Sequence, residues 1–210
     1  MNIIKRRIFT RGIEREINNY VIEIDEDMRE RCWEFAQTII NTNNQFDRML
    51  PDNITNEEEG ILIRIQRTYV GKLAEYAFYK CLVELGKEVE LGDMFTIYEG
   101  QENVDSYDFI TRNQETVDVK AAFRENHRNL VVNIRQLDRI SKNYYVGIKL
   151  NATDYDRNLI NPDSITRAEI CGYCEERYLV NKNTVFLGED NCKAIRLDCL
   201  MGIDRLIDRF

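Results

Sequence analysis

Apolar positions near the start of the chain recur at helical spacing. Met28, Cys32, Phe35, Ala36, Ile39 and Ile40 share one face of a 3.6-residue period, and Asp25 stands where a cap is needed. A helix is therefore predicted over about 25–41. The polar stretch 41–56 reads as a loop. Thr55 and Glu58 then match a capping box, and the helix they open is expected to run to Leu85, with Gly86 as its stop and a break allowed at Gly71.

After Gly86 the pattern shifts toward a period of two. Short strands are predicted over 87–91 and 94–98. A hairpin follows, with strands 107–111 and 116–123 and its turn at 112–114. Further strands are expected over 130–133, 144–150, 168–174 and 194–197. Asn133 is placed to cap a helix to about Ser141, and 202–208 reads as a closing helix. Helices first, then a β-group, then alternating elements describe an α/β fold with a central mixed β-sheet flanked by helices. No linker-like composition divides the 210 residues, so they are read as one domain. Its parts are a helical N-terminal part over about 1–86, a β-core over about 87–150 and a C-terminal extension over about 151–210.

Composition narrows the setting. No apolar run approaches the roughly 18–20 residues that span a bilayer, and residues 1–15 lack the apolar core of a secretory signal. The expectation is a cytoplasmic protein with no membrane partner and with its six cysteines reduced. The net charge of −8 argues mildly against nucleic acid, but the distribution is uneven. Between Lys120 and Leu150 seven cations face two anions, a local balance of +5 that leaves −13 on the rest. Within that stretch Arg124, Arg128, Arg135 and Arg139 are candidate phosphate contacts. The plainer reading is a solvated face.

The chemistry concentrates in Tyr107-Asp108-Phe109-Ile110 and Val117-Asp118-Val119-Lys120-Ala121-Ala122. Alternate side chains of a strand share a face, so Asp118 and Lys120 are expected to point together while Val117, Val119 and Ala121 pack on the other side. A hairpin can bring Asp108 beside Asp118. Two carboxylates that close repel unless a cation sits between them, and Mg²⁺ suits hard oxygen donors while keeping several waters. Lys120 can hold a water near a phosphate and offset charge in the transition state. Its loss is expected to remove the chemistry and leave folding nearly intact.

With Asp108, nine residues, Asp118, one residue and Lys120, the chain resembles the PD-(D/E)XK nuclease superfamily. That group includes many type II restriction endonucleases. The resemblance covers about 71–150 and departs from the common pattern in having Tyr107 where a proline is frequent. It implies a restriction-endonuclease-like fold and a Mg²⁺-dependent DNA endonuclease, with Mn²⁺ as a substitute. Glu75, in Gly71-Lys72-Leu73-Ala74-Glu75, matches the helical glutamate that completes such sites. Asp108, Asp118, Glu75 and the Val119 carbonyl would hold metal. Gln136 would add a polar group, and Arg135 and Arg139 would touch phosphates. The implied partner is double-stranded DNA, in keeping with a restriction or related defence or phage nuclease, and a homodimer supplies the two sites that double-strand cleavage needs.

Two alternatives stand beside this. One is a structure-selective repair or junction-resolving nuclease. The other is a non-catalytic nucleic-acid-binding or interaction module on the same fold. Asp105 competes with Asp108 as the first aspartate, but it falls in the polar loop before the strand. His127, the only histidine, lies in a polar loop and reads as a surface or phosphate-contacting residue. Cys171 and Cys174 look like half a zinc knuckle, but Cys192 and Cys199 lack the second tight pair. Neither a bound metal nor a disulfide is expected among these four.

Overall fold

The computed structural model describes residues 1–10, 13–42, 50, 54–97, 107–155, 159–187 and 190–210. The chain opens with a hairpin of β1 (Asn2–Thr10) and β2 (Ile13–Glu23), followed by helices α1 (Glu26–Asn41) and α2 (Glu57–Glu84). A short β3 (Phe109–Ile110) and β4 (Thr116–Ala122) come next, then β5 (Asn129–Asn133), α3 (Ile134–Arg139) and β6 (Tyr144–Leu150). The last part comprises β7 (Arg167–Glu175), α4 (Glu176–Leu179), β8 (Thr184–Phe186), β9 (Asn191–Arg196) and α5 (Asp204–Ile207).

Six strands form a mixed sheet in the order β1-β2-β7-β6-β4-β3, in which β4 and β6 are the parallel pair. Strands β5, β9 and β8 form a second, antiparallel sheet. The larger core lies between the first sheet and helices α1 and α2. It contains Ile22, Met28, Tyr69, Leu73, Phe78, Val117, Val146 and Ile148, each at most 2% exposed. A smaller core, with Leu130, Val132, Tyr145, Cys174 and Leu179, lies on the side of the second sheet. Gly147 of β6 makes this second layer fit, because a Cβ there would come within 2.6 Å of Leu200 Cδ1 and 2.8 Å of Leu197 Cδ2. Its register partner Gly172 has φ +138°, and a Cβ would meet the Met201 carbonyl at 2.3 Å.

The mixed sheet with helices matches the coarse expectation, but the N-terminal part differs. Residues 2–23 are not part of a helical region; they form the β1–β2 hairpin that adds two strands to the sheet. The alternation there is masked by charge. Lys5–Glu16 and Arg7–Glu14 pair across the hairpin, and only the end of β2, from Asn19 to Ile22, is buried. The expected strand over 87–91 is also absent, and so is one over the described part of 94–98; residues 92–95 form a turn instead.

Helix α1 starts where predicted, with Asp25 accepting from the Met28 amide at 2.8 Å. Helix α2 is capped by Asn56, whose side chain accepts from the Glu59 amide, rather than by Thr55. It runs unbroken through Gly71 and stops before Gly86, which takes φ +73°. Buried residues lie on most of its faces, as suits a helix between a sheet and a neighbouring helix.

Candidate active site

Strand β4 divides the two cores. Val117 and Val119 are buried in the larger core and Ala121 packs against it, while Ala122 belongs to the smaller core. Asp118 and Lys120 share the face of Ala122, as alternation requires. This face is not openly exposed. The side chain of Asp118 is 8% exposed and that of Lys120 is 21% exposed, at the floor of a cleft of about 950 Å³.

The short pairing with β3 explains how Asp108 enters. Among the described residues β3 pairs with β4 only at Val117 and Thr116, and no other described strand covers the next residues of that edge. The Asp108 amide donates to the Val117 carbonyl at 3.0 Å, and its Oδ2 accepts from the Val119 amide at 2.6 Å. The carboxylate thus stands where the next ladder bond would have been. Amide and carbonyl of one strand residue face the same edge, so the Val119 carbonyl faces this side as well. The turn is held from behind by Arg209, which donates to both Glu115 oxygens at 2.7 and 2.8 Å.

Glu75 reaches the same cleft from α2, so Glu75, Asp108, Asp118, Val119 and Lys120 all line it. Burial pushes the Asp108 carboxyl well above the usual carboxylate range. The charges of Glu75 and Asp118 push it further, against the opposing effects of Lys120 and the Val119 amide. Lysines compensate the other two acids. Lys120 Nζ lies 2.5 Å from Asp118 Oδ2, and Lys72 Nζ donates to Glu75 Oε2 at 2.5 Å. Asp118 Oδ2 is nevertheless buried without a hydrogen bond of good angular geometry, so the Lys120 contact is an ion pair only.

Sequence reasoning missed two cations. Lys72 was quoted beside Glu75 without a role. Lys142 was counted only within the basic stretch, yet it is 5% exposed and close enough to Asp118 and Asp108 to feel their charge. Burial still pushes its ammonium below the ordinary lysine range. A buried lysine in a polar loop has no sequence signature, since periodicity marks only apolar burial.

The basic residues divide. Arg124, Arg128 and Gln136 line the cleft, whereas Arg135 and Arg139 lie outside its lining. Arg135 points to Asp190, 3.6 Å away. His127 lines the cleft as a half-buried ring set edge-on against Phe123. Burial, reinforced by Arg124 and Lys149, lowers its pKa to about 4, so at neutral pH it carries no charge to offer a phosphate. Lys149 fixes the loop that bears these groups, donating to the carbonyls of Arg124 and His127. Asp105 lies outside the described residues.

All six cysteines are free thiols; only Cys199 is exposed. Among the described residues no group of three or more His, Cys, Asp or Glu side chains is arranged to hold a metal ion. The donors at the cleft floor still fit Mg²⁺. They are hard oxygens, one of them a buried atom without a hydrogen bond, and Mg²⁺ is bound through one or two carboxylates while keeping its waters. Among the described residues no helix is long and apolar enough to cross a membrane. Comparison of the chain with family models, with curated proteins and with solved structures gives no match.

Proposed function

We propose that the protein is a Mg²⁺-dependent DNA endonuclease of the restriction-endonuclease-like kind, acting on duplex DNA as a homodimer. The observation that carries this reading is the insertion of Asp108 beside β4. It brings Asp108, Asp118, Lys120 and Glu75 to one cleft, an arrangement of acids and lysine that metal-assisted hydrolysis of a phosphodiester can use.

Asp118 and Asp108 would hold Mg²⁺ with the Val119 carbonyl, and Glu75 would contribute directly or through water. Once bound, the ion supplies a water of lowered pKa and neutralises charge on the leaving oxygen. Lys120, released from its pair with Asp118, positions the attacking water and offsets the charge gathering on the phosphoryl oxygens. Asp108 must give up its proton to bind metal, so the raised affinity for that proton sets a lower pH limit on activity. Arg124 and Arg128 offer cationic contacts to the strand along the cleft.

One observation favours a second reading, a nucleic-acid-binding module without catalysis: Lys120 and Lys72 already pair with Asp118 and Glu75. Incubation of long duplex DNA with the protein and Mg²⁺ or Mn²⁺ separates the two. The endonuclease cuts with metal and stops with chelator, giving discrete bands if it recognises a sequence. The binding module retards the DNA and leaves it whole under both conditions.

A further inference from the structure

Charge is unevenly placed along the cleft, carboxylates with their lysines at one end and arginines at the other, and α2 shows how. Ile63, Arg67, Gly71 and Glu75 all line it at four-residue intervals, so they form one stripe along the helix. Arg67 and Glu75 are separated by about 12 Å of helix axis, at about 1.5 Å per residue. Across the cleft, β4 and the loop after it carry Asp118, Lys120 and Arg124 in that order. The two walls run in opposite chain directions with matching ends. Glu75 is near enough to act on Asp108 at the acidic end, and Arg67 is near enough to act on Arg124 at the other.

Burial is the main cost to the Arg124 guanidinium, and the like charge of Arg67 on the facing wall of the same cleft adds to it. Arg124 has no carboxylate partner among the described residues. Its guanidinium rests against the rings of Phe123 and Tyr155, and its Nε is buried without a hydrogen bond. Lys149 fixes the backbone of the loop that bears it. Facing arginines on rigid supports, one with an unfilled donor, form a site for an oxyanion with several acceptors. The tetrahedral phosphate of a nucleic-acid backbone meets that description.

We propose that Arg67 and Arg124 form a phosphate clamp, which grips a backbone phosphate three to four nucleotide steps from the one held over the carboxylates. For α2 lying along the duplex axis, the spacing follows from about 12 Å of helix axis and about 3.4 Å of axial rise per nucleotide. The clamp rests on the nuclease reading for its substrate and gives that enzyme a minimum substrate length on one side of the cut.

The test separates grip from chemistry. Binding of a fluorescent duplex is measured with chelator present, over a range of salt, for the wild-type chain, Arg67→Ala, Arg67→Lys and Arg124→Ala. Each alanine variant is expected to bind about tenfold more weakly. Each should also lose about one unit of the salt slope. Arg67→Lys should keep the slope and lose part of the affinity, because it retains the charge without the fork; it serves also if Arg67→Ala fails to fold. With Mg²⁺, duplexes trimmed one nucleotide at a time should lose kcat/KM sharply on one side of the cut, and the alanine variants should lose that step. Unchanged affinity and slope in Arg67→Lys and Arg67→Ala overturn the clamp, as does cleavage of trimmed duplexes without a step. A chain that binds through both arginines yet never cuts overturns the nuclease reading and leaves the clamp standing.

Discussion

The two faces of β4 carry out opposite tasks with residues that alternate. Val117 and Val119 point into the larger core, where they help hold the sheet to α1 and α2. Asp118 and Lys120 point into the cleft, where each is an electrostatic cost to the empty protein that the other partly offsets. Asp108 stands at the edge between the faces, tied to the strand by the Val119 amide. One seven-residue strand thus joins an apolar support to a crowded polar site, so a change in side-chain direction converts a stability position into a chemical one.

The largest effect expected from this contrast lies on the polar face. Asp118→Asn should reduce cleavage by a factor of about 10²–10³ in a chain that still folds, at a stability cost like that of losing Lys120, and excess Mn²⁺ should recover part of the lost cleavage, because the variant is impaired in metal binding. Single-turnover cleavage over a metal titration checks this; wild-type rates at ordinary Mg²⁺ would remove Asp118 from the site. On the apolar face, Val117→Ala should destabilise the chain by about 2–3 kcal/mol from lost methyl burial and a residual cavity, with DNA contacts unchanged. Urea unfolding beside a binding titration reads both quantities, and a loss of binding without a loss of stability would reverse the assignment of faces.

A smaller effect is expected at the edge. The folded chain raises the Asp108 pKa above the ordinary aspartate value of 3.8, so the folded state binds the proton more tightly than the unfolded chain does. The metal-free protein should therefore lose stability as pH rises from that value through the raised one. Asp108→Asn should flatten this dependence and raise the thermal midpoint at neutral pH, at the expense of activity. At a pH below the raised Asp108 value, Mg²⁺ binding to the wild-type chain should release a proton, measurable by calorimetry in buffers of different ionisation enthalpy. A midpoint that rises with pH over this range would contradict the crowded-carboxylate account. The smallest effect belongs to the loop that the strand leads into. Lys149→Met should leave the floor of the cleft intact and weaken DNA binding only several-fold, by freeing the carbonyls that fix Arg124 and His127.

Much of this contrast was legible in the chain. The strict alternation from Val117 to Ala122 gave β4 and the shared direction of Asp118 and Lys120, because a half-buried strand must alternate. The cap at Asp25 and the stop before Gly86 followed from local chemistry that tertiary structure did not override. The β1–β2 hairpin was hidden because its outer part packs against little, so charge pairs rather than apolar alternation line it. Lys72 and Lys142 were hidden for a different reason. Lys72 meets Glu75 one turn along α2, a local pair whose place beside the cleft only the fold reveals, and Lys142 meets carboxylates distant in sequence, which no short pattern encodes. The same holds for Arg67, whose partner lies 57 positions along the chain.

Lys120 is the residue on which the account turns, and its pair with Asp118 alters one expectation drawn from the sequence. With both side chains mostly enclosed, Lys120→Ala should not be silent in folding: the metal-free variant should lose about 1–3 kcal/mol, part of it restored by Mg²⁺. The direct measurement is cleavage of long duplex DNA by folded, metal-loaded Lys120→Ala beside the wild-type chain, at protein concentrations that saturate binding for both. The account expects the wild-type chain to cut with Mg²⁺ and the variant to bind equally well yet cut about 10²–10³ times more slowly. Cutting by the variant at the wild-type rate would contradict it.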